Sequence, residues 1–386
     1  MKNLKGRCVF AQSGGPTAVI NAGIAGGILS ALKNPNVTGV LCANHGIKGV
    51  LTEDFFDMSK EDENEILALK NTPAAAFGSV RYRLADFEKD DTDYKKILEV
   101  FKKYDIRYFF YNGGNDSMDT CDKISRYMQK VGYGVNVIGI PKTIDNDLAG
   151  TDHCPGYGSA AKYVATSIAE VNLDASVYDS PLVIVVEVMG RNAGWLTAAA
   201  SLAAFSGAGA DLIYLPEVTF DKDKFKADVE KVVAEKQKCI VAVSEGVRYA
   251  DGRYVGEDTS AIDNFGHSQL GGVCGVLKSF VKELGLKCKA IELNILQRCA
   301  AHCASLTDIE ETFAAGEKAV EAATGGETDK MVCFVRKSDS PYAIEYGLTP
   351  LTVTANAEQR IPAEWINSDG TGMNENFTRY ALPLIA

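Results

Sequence analysis

Basic residues are in deficit along this chain of 386 residues, where 40 lysines and arginines face 51 aspartates and glutamates for a formal charge of −11. That balance argues against nonspecific binding to nucleic acid or to an acidic membrane. Phosphate-bearing substrates stay open, because they need only local donors in a cleft. Long apolar runs are missing too. One uncharged stretch, 192–210, is mostly Ala, Gly and Ser and ends in the turn-forming Gly207-Ala208-Gly209. It predicts a tightly packed soluble helix rather than a bilayer span, which needs about 20 predominantly apolar residues. Lys2, Lys5 and Arg7 precede an apolar stretch, but Gln12, Ser13 and the Gly14-Gly15-Pro16 turn break it too early for a secretion signal. The ten cysteines, from Cys8 to Cys333, lack the dense spacing of a disulfide framework, so a reducing cytoplasm is the expected setting. Cys299, His302 and Cys303 fall at i, i+3 and i+4 without a fourth zinc ligand, and are expected as ordinary small buried residues on a helix. There is no P-loop lysine motif, no low-complexity linker and no short internal repeat.

What is present is an alternation of short apolar runs with longer helix-like segments, in a chain that is 46% hydrophobic and 24% charged. A chain of this size buries most of its unfolded surface and needs no metal or disulfide staple. Strands are predicted at 7–12, 37–43, 107–111, 135–140, 182–188, 212–215, 239–243, 290–295 and 331–335. Helices are predicted at 21–32, 117–129, 159–173, 195–205, 224–236, 269–283 and 307–323. Nearly continuous apolar strands such as Leu182-Val183-Ile184-Val185-Val186 imply burial on both faces, hence an α/β fold with largely parallel sheets. Two intimately joined lobes are expected, with a boundary near residues 152–158. The division is 1–156 for a phosphoryl-donor lobe, 157–297 for a sugar-phosphate lobe and 298–386 for a return segment and tail.

In such sheets ligands bind beyond the carboxyl ends of the strands. The segments there are Ser13-Gly14-Gly15, Asn112-Gly113-Gly114-Asn115-Asp116-Ser117, Pro141-Lys142-Thr143-Ile144-Asp145-Asn146-Asp147, Met189-Gly190-Arg191 and Ser244-Glu245-Gly246. Paired glycines let backbone amides approach an anion, and the following helix N-termini favour negative charge, although such pairs also serve purely structural turns. Gly156-Tyr157-Gly158-Ser159-Ala160-Ala161 fits a loose dinucleotide pattern, but a loop precedes it and the match reads as coincidental. Local extension of the segment after Lys142 would put Thr143, Asp145 and Asp147 on one face. One carboxylate can then take a proton, the other can help hold Mg²⁺, and the lysine can neutralise a polyphosphate. A solvated acidic loop is the competing reading.

These segments, with Gly78-Ser79-Val80-Arg81 and Gln297-Arg298, resemble the phosphofructokinase family in order from about residue 6 to about residue 320. The resemblance implies two Rossmann-like lobes with the active site in the cleft between them. It implies that Asp145 is the base for the sugar's 1-hydroxyl, and that Arg81 and Thr143 grip the transferred phosphoryl group. Met189, Gly190, Arg191 and Glu245 become fructose 6-phosphate contacts, with Lys289 and Arg298 at its 6-phosphate. Gly14, Gly15, Gly114, Asp116, Ser117, Lys142 and Arg81 become the donor site, and Asn115, Asp116 and Asp147 the Mg²⁺ ligands. Surface ion pairs are the alternative for Arg191 and Arg298.

Three departures from the family pattern bear on function. Asn115 stands where the family often has an aspartate metal ligand, and the neighbouring Asp116 is expected to supply the missing negative oxygen. Leu182 and Ile295 stand where a typical bacterial enzyme has two phosphate ligands, which opens the choice of sugar phosphate to a seven-carbon acceptor. No arginine occurs between Arg7 and Arg81, so the nucleotide effector site of the first helix is not expected. Asp116 and Lys142 occupy places where ATP users commonly have glycine. A carboxylate ~4 Å from an α-phosphate repels it by up to ~4 kcal/mol per unit charge at an effective dielectric of ~20, whereas a lysine there suits a bare leaving phosphate. A surface ion pair between Asp116 and Lys142 is the alternative. The expected activity is therefore reversible, Mg²⁺-dependent phosphoryl transfer from pyrophosphate to fructose 6-phosphate, in a cytoplasmic homodimer or homotetramer. An ATP-dependent kinase, a sedoheptulose 7-phosphate kinase and a non-catalytic phosphosugar-binding protein are the alternatives.

Overall fold

The computed structural model describes residues 4–262, 268–270, 272–355 and 357–386. In chain order the elements are β1 (Gly6–Gln12), α1 (Ile20–Leu32), β2 (Val37–Ala43), α2 (Ile47–Thr52), β3 (Phe55–Asp57), α3 (Glu63–Ala68), α4 (Thr92–Lys103), β4 (Ile106–Gly113), α5 (Asn115–Lys130) and β5 (Asn136–Pro141). There follow α6 (Tyr157–Ser176), β6 (Leu182–Val188), α7 (Trp195–Ala198), β7 (Leu212–Tyr214), α8 (Lys222–Lys236), β8 (Lys238–Ser244), β9 (Glu257–Ile262), β10 (Ser268–Leu270), α9 (Val273–Glu283) and β11 (Cys288–Glu292). The last are α10 (Leu306–Thr324), β12 (Lys330–Asp339), β13 (Tyr342–Pro350), α11 (Leu351–Thr354) and α12 (Glu375–Ala381). Two compact units result: Met1–Ile144, Leu148–Ser159 and Arg298–Glu358 form the first, and Asp145–Asp147, Ala160–Gln297 and Gln359–Ala386 the second.

The first unit carries a seven-stranded sheet in the order β13-β12-β5-β4-β1-β2-β3. It is parallel from β12 to β2 and closed at each edge by an antiparallel strand. Side chains alternate across a strand, so Val9 and Ala11 of β1 join a core with Tyr94 and Phe101 of α4, while Cys8 and Phe10 join one with Ile24 of α1 and Ala319 of α10. Helices α1 and α10 meet backbone to backbone. A Cβ at Gly316 would lie 1.9 Å from the carbonyl oxygen of Gly23, so no other residue fits there. The second unit holds an all-parallel sheet, β11-β6-β8-β7. Val183, Val185, Val241 and Val243 form one core with α8 and α9, and the alternate residues Ile184, Val186, Ile240 and Ala242 are buried too. Double burial accounts for the unbroken apolar runs read from the sequence.

The α/β reading with largely parallel sheets holds, and every predicted strand is present within a few residues. The departures are local. The helix expected at 195–205 is α-helical only to Ala198 and then winds as a 3₁₀ helix, Ala199–Ser206, where Ser201 and Ser206 hydroxyls donate to carbonyls three residues back. The helix expected from 269 begins at Val273, because Gly272 sits in the left-handed region (φ 77°) and Gln269 and Leu270 belong to β10; Gly271 lies outside the described residues. Cys299, His302 and Cys303 share no helix, since only Ala301–Cys303 forms a single 3₁₀ turn. None of the three is buried, against expectation; His302 is exposed. Among the elements not expected from the sequence are helix α4, whose buried stripe includes Tyr94, Ile97 and Phe101, and the edge strand β13. Among the described residues no helix is long and apolar enough to cross a membrane.

Candidate active site

In the first unit the carboxyl ends of β1, β4 and β5 lie side by side, with Gln12 beside Asn112 and Gly113 beside Pro141. The Ser13 amide donates to the carbonyl of Asn112 at 2.9 Å, and the Lys142 amide to the carbonyl of Gly113 at 3.0 Å. The loop carrying Arg81 is tied to the same turn, since Ser79 Oγ donates to the Gly14 carbonyl at 2.6 Å and Ser13 Oγ to the Val80 carbonyl at 3.2 Å. Arg81 itself is exposed. Lys142 is only 3% exposed, and its ammonium donates to the Gly15 carbonyl at 2.6 Å. A Cβ at Gly15 would come within 3.5 Å of the Arg298 guanidinium carbon. Arg298 thus stands with Gly15 in the first unit. Helix α5 opens at Asn115 without a side-chain cap, with Asp116 exposed in its first turn and Ser117 buried. An uncapped N-terminus leaves backbone donors for an anion.

Thr143 belongs to this unit. Its amide donates to the Pro155 carbonyl at 3.0 Å, and it bridges to Gly156. The support behind it is charged and buried. Asp308 of α10 accepts from the amides of Gly156 and Ser159, each at 2.9 Å, and from Ser159 Oγ at 2.6 Å. His153 is 3% exposed, with Nδ1 2.8 Å from Asp152 and Nε2 2.7 Å from Glu311. A carboxyl group at each ring nitrogen favours the imidazolium form, in which both nitrogens donate. Burial alone would lower its pKa, but the bonds and charges of Asp152 and Glu311 outweigh that and raise it.

The chain leaves the first unit after Ile144, and Asp145–Asp147 is packed with the second. The extended alternation expected for Thr143, Asp145 and Asp147 does not form, because Asn146 is left-handed at φ 56°. Asn146 is 1% exposed and donates to the Tyr380 hydroxyl at 2.8 Å, while the Asp147 carbonyl accepts from the Gln359 amide at 2.8 Å. The rest of the second-unit site lies beyond β6 and β8. A Cβ at Gly246 would fall 1.9 Å from the Arg191 carbonyl oxygen, so glycine alone lets the Glu245 turn close onto the Met189–Arg191 turn. Ser244 Oγ then donates to the Gly190 carbonyl at 2.5 Å, the Gly190 amide to Glu245 at 3.3 Å, and the Met189 amide to Gln297 at 3.4 Å. Burial pushes the Glu245 carboxyl up to about 7, helped by the negative charges of Asp145 and Glu187 and opposed by the Gly190 amide and Arg191.

Lys289 is not brought to this cluster. It is the second residue of β11 and pairs with Ile184 of β6, exposed, 3.5 Å from Asp174 and over the Tyr178 ring. Its place near the amino end of β11 keeps it from the carboxyl end. Leu182 is buried in the sheet and Ile295 is 66% exposed, so neither offers a phosphate ligand. Asn146, Gln359 and Tyr380 escaped sequence reasoning. Only Asn146 carried a signal, as a residue type that tolerates the left-handed region.

A family model described as phosphofructokinase matches residues 7–323. The chain belongs to the phosphofructokinase family. Two phosphofructokinase relatives named pyrophosphate–fructose 6-phosphate 1-phosphotransferase are similar over nearly all of it. The one from Halomonas elongata is 47% identical over 97% of this chain and 91% of its own length, and the one from Methylococcus capsulatus 46% identical over 97% and 90%. A solved structure of a pyrophosphate-dependent phosphofructokinase from Nitrosospira multiformis superposes with a TM-score of 0.90 at 42% identity, covering 98% of this chain and 92% of that one.

Proposed function

We propose that this phosphofructokinase transfers a phosphoryl group from pyrophosphate to the 1-hydroxyl of fructose 6-phosphate, giving fructose 1,6-bisphosphate and phosphate, reversibly and in the cytoplasm. The observation that carries the donor choice is Lys142, an almost fully buried ammonium held on the Gly14-Gly15 turn. An ammonium placed on that glycine turn suits a bare leaving phosphate, which has no nucleoside to anchor it. The names of the relatives support the same reading.

In this mechanism Gly14, Gly15, Gly114 and Ser117 offer the donor their amides and hydroxyl, and Lys142 neutralises the leaving phosphate. Arg81 and Thr143 hold the phosphoryl group in flight, and Arg298 adds positive charge at Gly15. Met189, Gly190, Arg191 and Glu245 orient the sugar phosphate, with Asp145 taking the proton from its 1-hydroxyl. A positioned base of this kind contributes roughly 10²–10⁴ in rate. Asn115, Asp116 and Asp147 are an all-oxygen donor set with two carboxylates, which suits Mg²⁺. They would hold the ion, which when bound offsets charge on the phosphate oxygens. Lys289, near the amino end of β11 and beside Asp174, has no part in this assignment.

A donor-swap assay tests the reading. The purified chain with fructose 6-phosphate and Mg²⁺ is expected to turn over with pyrophosphate and barely with ATP. Lys142→Gly is expected to weaken pyrophosphate use sharply. Efficient turnover with ATP and none with pyrophosphate would overturn the proposal.

A further inference from the structure

The segment that holds the proposed base is gripped from far away in sequence. Asn146 lies between Asp145 and Asp147, is 1% exposed, and is held in a conformation that non-glycine residues seldom adopt. Its side-chain amide donates to the hydroxyl of Tyr380, 234 positions further along the chain. That tyrosine is fixed by its ring. Its centroid is 5.3 Å from Trp195 and 5.2 Å from Trp365, and the two indoles meet edge-on at 6.1 Å. The cage is itself tied to the loop, because Trp195 Nε1 donates to the Gln359 carbonyl at 2.9 Å while the Gln359 amide donates to the Asp147 carbonyl. Two bonds from one strap, residues 359–386, therefore bracket the loop at Asn146 and Asp147. The strap lies wholly beyond the span matched by the family model.

We infer that Tyr380 is a positioning residue for phosphoryl transfer: its caged hydroxyl fixes Asn146 and so aims the Asp145 carboxylate at the sugar hydroxyl. A tyrosine between two indoles keeps its hydroxyl in place at little entropic cost. The bond to Asn146 offsets the cost of holding its backbone in the left-handed region. Since the side chains of Asp145 and Asp147 depart from the backbone on either side of Asn146, its backbone angles set the direction of one relative to the other. This inference rests on Asp145 acting as the base.

The test uses the full chain carrying Tyr380→Phe, which keeps the ring and its cage and deletes only the hydroxyl. With pyrophosphate as donor, kcat is expected to fall about tenfold to a hundredfold, the scale of a small misplacement of a reacting group. KM for fructose 6-phosphate is expected to stay within about twofold, because the Met189–Arg191 and Glu245 contacts are untouched. Asn146→Gly keeps the backbone angle accessible but removes the bond. Tyr380→Phe added to Asn146→Gly is then expected to cost no more than Asn146→Gly alone, since both act through one contact. Wild-type kcat in Tyr380→Phe, or fully additive losses, would overturn the inference. Hydrogen exchange of a peptide covering 143–150 provides a readout apart from turnover, and faster exchange in Tyr380→Phe is expected. A wild-type protein inactive with pyrophosphate would refute the proposed function, and unchanged exchange would still refute the positioning role on its own.

Discussion

Glu245 is the residue whose ionisation is most open to measurement. Its carboxyl is raised from 4.5 to about 7 by burial, so the folded state holds a proton there that the unfolded chain has lost. Stability contributed by that proton is fully present below 4.5 and is lost as pH rises through about 7. Glu245→Gln removes the titration, and melting temperatures of the variant are expected to depend less on pH across that interval than those of the native protein. Parallel pH dependences would show that the carboxyl titrates normally. Asp145 makes a sharper prediction. Asp145→Ala is expected to lower turnover with pyrophosphate by ~10² or more while fructose 6-phosphate binding survives better. Near-native turnover in that variant would remove Asp145 from the mechanism.

At the scale of elements, α10 and the β12–β13 hairpin brace the loop between β5 and α6 through charge. His153 is faced by Asp152 on its own loop, by Glu311 with Asp308 nearby on α10, and by the Phe334 ring of β12. Arg336 of β12 bonds Asp152 at 3.0 Å, and Tyr342 of β13 donates to Glu311 at 2.7 Å. Because the folded pKa of His153 is raised, its stabilising contribution is complete below 6.5 and is lost as pH climbs through the folded value. The Asp152 pKa is lowered, against its burial, by its bonds to His153 and Arg336, so its contribution is lost only as pH falls through that lowered value. His153→Gln is expected to destabilise the protein by roughly 1–3 kcal/mol, the scale of a buried polar group left unpaired. It is also expected to flatten the alkaline side of the melting profile. An unchanged alkaline slope would assign that slope to other groups.

For the molecule as a whole, regulation follows from what the first helix presents. Helix α1 is apolar and small, INAGIAGGILSAL, with most of its length buried and no basic residue in its last turn. It has no guanidinium to offer a nucleotide or other phosphate effector. ADP and phosphoenolpyruvate are therefore expected to leave the fructose 6-phosphate saturation curve essentially unchanged. A sigmoidal curve straightened by ADP would reveal an effector site built from other residues.

The alternation of buried strands and amphipathic helices was legible because period and burial are local properties; β1, β6 and β8 could be read from their apolar runs alone. The glycine turns and the charged residues after the strands were equally legible, because a parallel sheet puts every such segment at one end. What one dimension could not hold was any pairing across long separations. Nothing in sequence spacing tied Asn146 to Tyr380 or His153 to Glu311, and nothing distinguished Arg298, set against Gly15, from Lys289, near the amino end of β11 beside Asp174. The sequence by itself determined which chemistry is available and which strand ends carry it. Only the tertiary structure decided how the carboxylates are aimed, because a backbone angle such as that of Asn146 is set by partners hundreds of residues away rather than by its neighbours.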